Sequence, residues 1–114
     1  MTVLTEGRHA GEFIMSEANF HRSRDNIVIS SGQGVLGPGT VLAKSGAEYV
    51  VYAGSGAAAI LIGRIDTTDA DTPGAAITRD AEVNGHCLDF GGDCPVNETG
   101  ALADLAALGI IARF

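Results

Sequence analysis

Gly34-Val35-Leu36-Gly37-Pro38-Gly39-Thr40-Val41-Leu42-Ala43 is the stretch whose reading decides the fold. Pro38 sets φ near −65° and Gly39 accepts φ > 0, the pair that a type II turn requires at its two central positions. Thr40, Val41 and Leu42 then carry the branched, apolar character of a strand. The structural turn Gly37, Pro38 and Gly39 therefore reverses the backbone and launches a buried strand of a β-rich core.

Further strand signals lie on either side. Upstream, Ile27-Val28-Ile29 is β-branched and is broken by Ser30-Ser31-Gly32-Gln33-Gly34. Downstream, a polar turn over Lys44–Glu48 precedes Tyr49-Val50-Val51-Tyr52, four residues of high strand propensity. Ala57–Ala59 lead into Ile60-Leu61-Ile62-Gly63-Arg64-Ile65, an apolar run expected to form a strand buried on both faces. A carboxylate-rich loop over Asp66–Gly74 follows. Ala75–Val83 then alternates apolar and polar residues as one half-exposed strand would. Gly85–Phe90 reads as a short strand around Cys87-Leu88, and Gly91–Pro95 as a second flexible loop.

The period changes near the C-terminus. Ala101, Leu102, Leu105 and Leu108 share one helical face, with Thr99 or Asn97 as N-cap and Gly109 just past the end. Ile110–Phe114 reads as a terminal strand. Five or six short strands, one C-terminal helix and a last strand make a mainly β single domain with a small α part. There is no internal repeat and no linker. Residues 1–26 read as a flexible, partly disordered N-terminal arm, and 27–114 as the compact β-rich domain. Within the arm, Glu12-Phe13-Ile14-Met15-Ser16 is an isolated apolar run. It suits either a strand packed on this domain's own surface or an arm that docks on a partner.

Composition bounds the function. The 114 residues include 16 glycines and no Trp, so the core is thin and an oligomer that completes it between subunits is expected. A net charge of −7, from 14 acids and 7 bases, argues against tracking phosphates, and no nucleic-acid partner is expected. No apolar run has the length to span a bilayer, and the N-terminus lacks the pattern of a signal peptide. Synthesis inside the cell follows as an expectation, with Cys87 and Cys94 reduced.

Candidate chemistry is sparse. Asp66, Asp69 and Asp71 lack the glycine and glutamate of a calcium loop, since Asp71 and Ile77 occupy the sixth and twelfth positions from Asp66. His86, Cys87 and Cys94 lack paired metal-ligand spacing, so no metal site and no cofactor are expected. Gly54-Ser55-Gly56 does not continue as a phosphate loop, and there is no nucleophile elbow. No catalytic residues are assigned. The acidic loop over 66–71 beside Arg64 or Arg79 is the one constellation an enzyme could use, and a small β-barrel or β-clip ligand-binding module without catalysis is the alternative reading.

The ordered set Gly34-x-Leu36-x-x-Gly39-Thr40-Val41-Leu42, Ala59-Ile60-Leu61-Ile62, Ala81-Glu82-Val83 and Leu105-x-x-Leu108-Gly109-Ile110 resembles the head decoration proteins of tailed phages, of the lambda gpD type. The resemblance runs over residues 12–113. It implies a β-clip-like fold and a homotrimer on the outer surface of the virion capsid, at three-fold and quasi-three-fold positions. There the protein would stabilise the expanded shell against packaged DNA. It further implies that the N-terminal arm engages the major capsid protein, with Val3, Leu4, Phe13, Ile14 and Met15 as its apolar contacts.

Overall fold

The computed structural model describes residues 11, 13–17, 23–53, 56–89 and 99–113. In chain order these form β1 (Ile14–Glu17), β2 (Arg24–Ile29), β3 (Val35–Leu36), β4 (Val41–Ser45), β5 (Glu48–Val51), β6 (Ala57–Leu61), β7 (Ile65–Asp66), β8 (Thr72–Ile77), β9 (Ala81–Asn84), a 3₁₀ turn (Gly85–Cys87), α1 (Thr99–Ala107) and β10 (Ile110–Arg113). The mainly β, single-domain organisation with a C-terminal helix is the one expected from sequence. Among the described residues no helix is long and apolar enough to cross a membrane.

Five strands close into a barrel in the order β2-β5-β4-β6-β8. β8 returns to β2 along six antiparallel pairs, from Arg24↔Ile77 to Ile29↔Thr72. β3 and β7 form a two-stranded ribbon. A separate three-stranded sheet runs β1-β9-β10, with β1 antiparallel and β10 parallel to β9. One core cluster ties the parts together. It contains Val41, Ile60 and Ile77 from the barrel, Phe13, Val83 and Ile110 from around the sheet, and Ala101 and Leu105 from α1.

The turn at Gly37–Thr40 forms as the sequence predicts. Gly39 has φ +88°, and the Thr40 amide donates to the Gly37 carbonyl at 3.3 Å. The Thr40 hydroxyl donates to the same carbonyl at 2.7 Å. The turn is also wedged between distant partners. Gly39 N donates to Leu61 O at 2.8 Å, and Val41 N to Asp89 O at 2.8 Å.

Three local expectations need correction. Ala75–Val83 is two strands in two different sheets, because the chain bends at Asp80, a non-glycine residue at φ +51°. The bend is held from outside: Asp80 N donates to Leu108 O at 3.3 Å and Ala81 N to Gly109 O at 3.1 Å. The run Ile60–Ile65 is also divided. β6 ends at Leu61, and Ile65 pairs instead with Leu36 in the ribbon. Around Cys87 the backbone is a 3₁₀ turn rather than a strand, and the pairing falls on Asp89, which bridges Thr40. The helix buries Ala101 and Leu105 fully, and Leu108, one residue past its end, is 38% exposed. Thr99 is the first helical residue; Asn97, with Gly91–Pro95, lies outside the described residues. Gly109 follows the helix with φ +84°, as expected.

Substitutions in the turn should separate φ from bulk. Gly39→Val places a β-branched residue at φ +88° and should destabilise the domain by about 1–3 kcal/mol. Gly37→Ala adds a methyl group with no heavy atom within 4 Å and should change little. Equal melting temperatures for the two variants in thermal unfolding would refute the turn assignment.

Candidate functional site

Most of the described segment before residue 27 is built into the body. β1 pairs antiparallel with β9, with Ile14↔Val83, Ser16↔Glu82 and Glu17↔Ala81. The first residues of β2, Arg24 to Asn26, pair with β8. The boundary expected at residue 26 therefore moves toward the N-terminus. Of the two readings open for the Phe13 run, the strand packed on this domain's own surface is the one observed.

The five sequence-predicted contact residues fall into four groups. Phe13 is 1% exposed and sits in the core cluster. It is not a surface anchor in this structure, because the core between sheet and helix takes the ring. Ile14 is half-buried and packs against the same cluster. Met15 is 58% exposed. The register of β1 shifts between Ile14 and Ser16. Such a bulge re-aims one side chain while the flanking pairs continue. Val3 and Leu4 lie outside the described residues.

Across the three-stranded sheet, Ser16 pairs with Glu82 and Glu82 with Ile111, the last 36% exposed, while Met15 sits at the register shift without a pair. A shallow cleft on this side is bordered by Ser16, Glu17, Asp80, Glu82, Gly109 and Ile111. Glu82 accepts from Arg113 Nε at 3.1 Å across the sheet. The surface thus combines apolar points with paired charge, the make-up of a protein contact more than of a metabolite pocket.

A clamp closes the C-terminal end of β1. Arg24 Nη2 meets Glu17 Oε1 at 2.6 Å, and Arg24 Nε donates to both carboxylate oxygens, at 3.1 and 3.0 Å. Ser23, fully buried, donates its hydroxyl to Glu17 Oε2 at 2.6 Å. The guanidinium of Arg24 holds the Glu17 carboxyl below its ordinary range, against the opposing effect of burial and with help from Ser23. The same pairing raises Arg24. Next along β2, Asp25 accepts from Arg79 Nη2 at 2.5 Å and from the Thr78 hydroxyl at 2.9 Å.

The acidic loop serves its own backbone. Asp66 Oδ1 accepts from the Thr68 hydroxyl at 2.6 Å and the Thr68 amide at 2.9 Å, which lowers its pKa. Asp71 accepts from the Ser31 amide at 2.8 Å and is likewise lowered. Among the described residues no group of three or more His, Cys, Asp or Glu side chains is placed to hold a metal. Cys87 is a free, half-buried thiol at the margin of the core, and Cys94 lies outside the described residues.

Sequence reasoning missed several polar anchors. Asp104 accepts from the amides of Gly56 and Ala57 at 3.2 and 3.3 Å and ties α1 to β6. Gln33, read as part of a strand-breaking loop, accepts from Val51 N at 3.1 Å. Thr67 is buried, donates to Gly34 O at 2.9 Å and accepts from Gln33 N at 3.1 Å. One signal was available for Asp104: an acid three residues after Ala101 and one before Leu105, close to the buried face of the helix.

Among known families, the model described as bacteriophage lambda head decoration protein D matches residues 3–110. No curated protein matches the chain.

The clamp predicts a pH dependence. A carboxyl whose folded-state pKa is lowered stabilises the fold above its unfolded value, here about 4.5, and loses that stabilisation as pH falls through the folded value. At pH 7, Glu17→Gln should cost about 1 kcal/mol, a figure kept small because the pair is still partly solvated. Thermal melts of the two proteins should converge as the pH falls below about 4.5 and through the lowered folded value. A difference that stays constant over that range would show that Glu17 is not held by its charge.

Proposed function

The chain belongs to the family of the bacteriophage lambda head decoration protein D, and from that premise we propose that it binds as homotrimers to the outside of an expanded phage capsid and reinforces the shell against packaged DNA. Membership makes it a structural component of a phage head, associated with the capsid. Its partners in this reading are the major capsid protein and two further copies of itself, with no nucleic acid, membrane or cofactor.

The family match over residues 3–110 is the observation that carries the reading. Physical features support it. A net charge of −7 suits a position outside the shell, away from the DNA. The core relies on small side chains, with Ala57, Ala59, Ala76, Ala81 and Ala101 all buried, and Met15, Val28, Val35, Leu108 and Ile111 remain exposed. A subunit with a thin core and several exposed apolar points gains from association. Capsid contacts are assigned to Met15 on β1 and to Val3 and Leu4 upstream of it. Each is a weak contact alone, and a trimer makes them act together through effective concentration.

Shells of the cognate major capsid protein, prepared empty before and after expansion, provide the test. The purified chain should co-sediment with expanded shells, saturate in multiples of three copies per three-fold position, and leave unexpanded shells bare. Failure to bind expanded shells overturns the proposal. Binding that saturates at one copy per three-fold position overturns the trimer.

A further inference from the structure

The outer face of the barrel is covered over only part of its width. Ile60 and Ile77, paired across β6 and β8, turn outward into the core beneath the three-stranded sheet and α1, as does Val41 on β4. Ala59, Leu61 and Ala76 turn the other way, into the barrel. Along β8 from Ile77 toward its start, the next outward positions are Ala75 and Pro73, and both are exposed. They pair with Asn26 and Val28 of β2, which are exposed as well, Val28 to 39%. Between these, Ile27, Ile29 and Ala76 are buried. The outward face of β2 and β8 therefore runs from a covered end at Ile77 to an apolar patch in solvent.

Charge decides what fits that patch. Asn26, Val28, Pro73 and Ala75 carry none, in a chain with 14 acids and 7 bases. The next outward residue of β2, Arg24, is paired with Glu17. Two copies of a chain of net charge −7 repel one another over most of their surfaces, and like charges brought face to face are strongly unfavourable. Copies therefore meet best where charge is absent, whereas a basic partner would be drawn to the acidic surfaces. Continuity points the same way. Ile77, one outward position on, already lies under an apolar layer of this chain, so a neighbouring copy on Ala75 and Pro73 extends a packed interface. The contact is made by faces and not by strand addition. Ala75 O accepts from Ile62 N on the β6 side, and Pro73, facing the same side, has no N–H to offer a further strand.

We propose that the uncharged face of Asn26, Val28, Pro73 and Ala75 is where one copy of this chain packs against the next. The proposal rests on the homotrimer reading and gives it a location. In a closed three-fold ring each copy presents two different surfaces, so the patch meets a different part of its neighbour and is buried three times per trimer. It forms the apolar centre of the contact, with the Arg24–Glu17 pair toward one end.

Sedimentation equilibrium of the full chain tests the face, with the number of copies per three-fold position of expanded shells as a second readout. The parent should be a trimer. Val28→Asp and Ala75→Glu each bury an unpaired charge in the contact, and each should weaken the trimer about 100-fold or more while circular dichroism remains that of the folded chain. Val28→Thr keeps the branched shape should the charged variants fail to fold, and should weaken the trimer several-fold. Val35→Asp, at an apolar side chain 51% exposed on β3, should leave the trimer intact. If the parent forms trimers only on the shell, the same comparison is read there, with fewer than three copies per position expected for the patch variants. Folded patch variants that remain trimers and still bind shells overturn this face and leave the homotrimer reading standing. Patch variants that remain trimers but no longer bind shells assign the face to the capsid protein and also overturn the proposal. So does an equal loss of trimer for Val35→Asp. A parent that is monomeric and occupies expanded shells at one copy per three-fold position overturns the homotrimer reading and the face with it.

Discussion

Burial of Phe13, Val83, Leu105 and Ile110 against Val41, Ile60 and Ile77 joins the three-stranded sheet and the helix to the barrel. Neither layer offers enough apolar surface alone. The sheet has three four-residue strands, and the barrel's own cluster is built from Ile27, Ile29, Leu36, Leu42, Ala59, Leu61 and Ala76. At roughly 25 cal/mol per Å² of apolar surface, the few large side chains carry most of the favourable term. The alanines contribute by letting backbones approach. Gly74 shows the limit of that approach, since a Cβ there would stand 3.4 Å from the terminal methyls of both Ile29 and Leu61.

Close packing of small residues leaves the barrel with a weak seam. β2 and β5 share one register pair, Ile29↔Tyr49. One backbone bond and two side chains supply what the ladder lacks. Ser30 N donates to Tyr49 O at 2.9 Å, the Ser30 hydroxyl donates to Glu48 at 2.9 Å, and the Gln33 side chain accepts from Val51 N at 3.1 Å. Thr67 fixes the same loop from the other side, through Gly34 and Gln33. Here a barrel edge that would expose unpaired amides is closed by an irregular loop. The polar residues of Ser30–Gly34 that broke the strand pattern are therefore structural partners of β5.

What was legible in the sequence was what is decided locally. Pro38-Gly39, Ile27–Ile29, Tyr49–Val51 and the helix ending before Gly109 each carry their own propensity or φ requirement, and each forms where expected. What was not legible depends on contacts distant in sequence. Asp80 takes φ +51° as Leu108 O and Gly109 O accept from its amide and that of Ala81, and nothing within Ala75–Val83 signals a bend. The strand expected at Gly85–Phe90 gives way to a 3₁₀ turn because Asp89 is claimed by Gly39 and Val41. In the site, the apolar run around Phe13 was visible, but its partner was not. A strand that packs on its own domain and one that docks elsewhere have the same local pattern. The bulge that separates buried Phe13 from exposed Met15 arises from pairing with β9.

That division has an energetic consequence for capsid binding. Ordering a free chain on a partner costs roughly 1–2 kcal/mol per residue in backbone entropy, before any contact is counted. An arm free as far as residue 26 would carry that cost over its whole length, with Phe13, Ile14 and Met15 available to offset it. Pairing β1 with β9 moves the cost of ordering Phe13 and Ile14 into folding, where the core compensates it. Met15 stands on a strand that folding has already ordered, so any contact it makes spends no further backbone entropy on placing it.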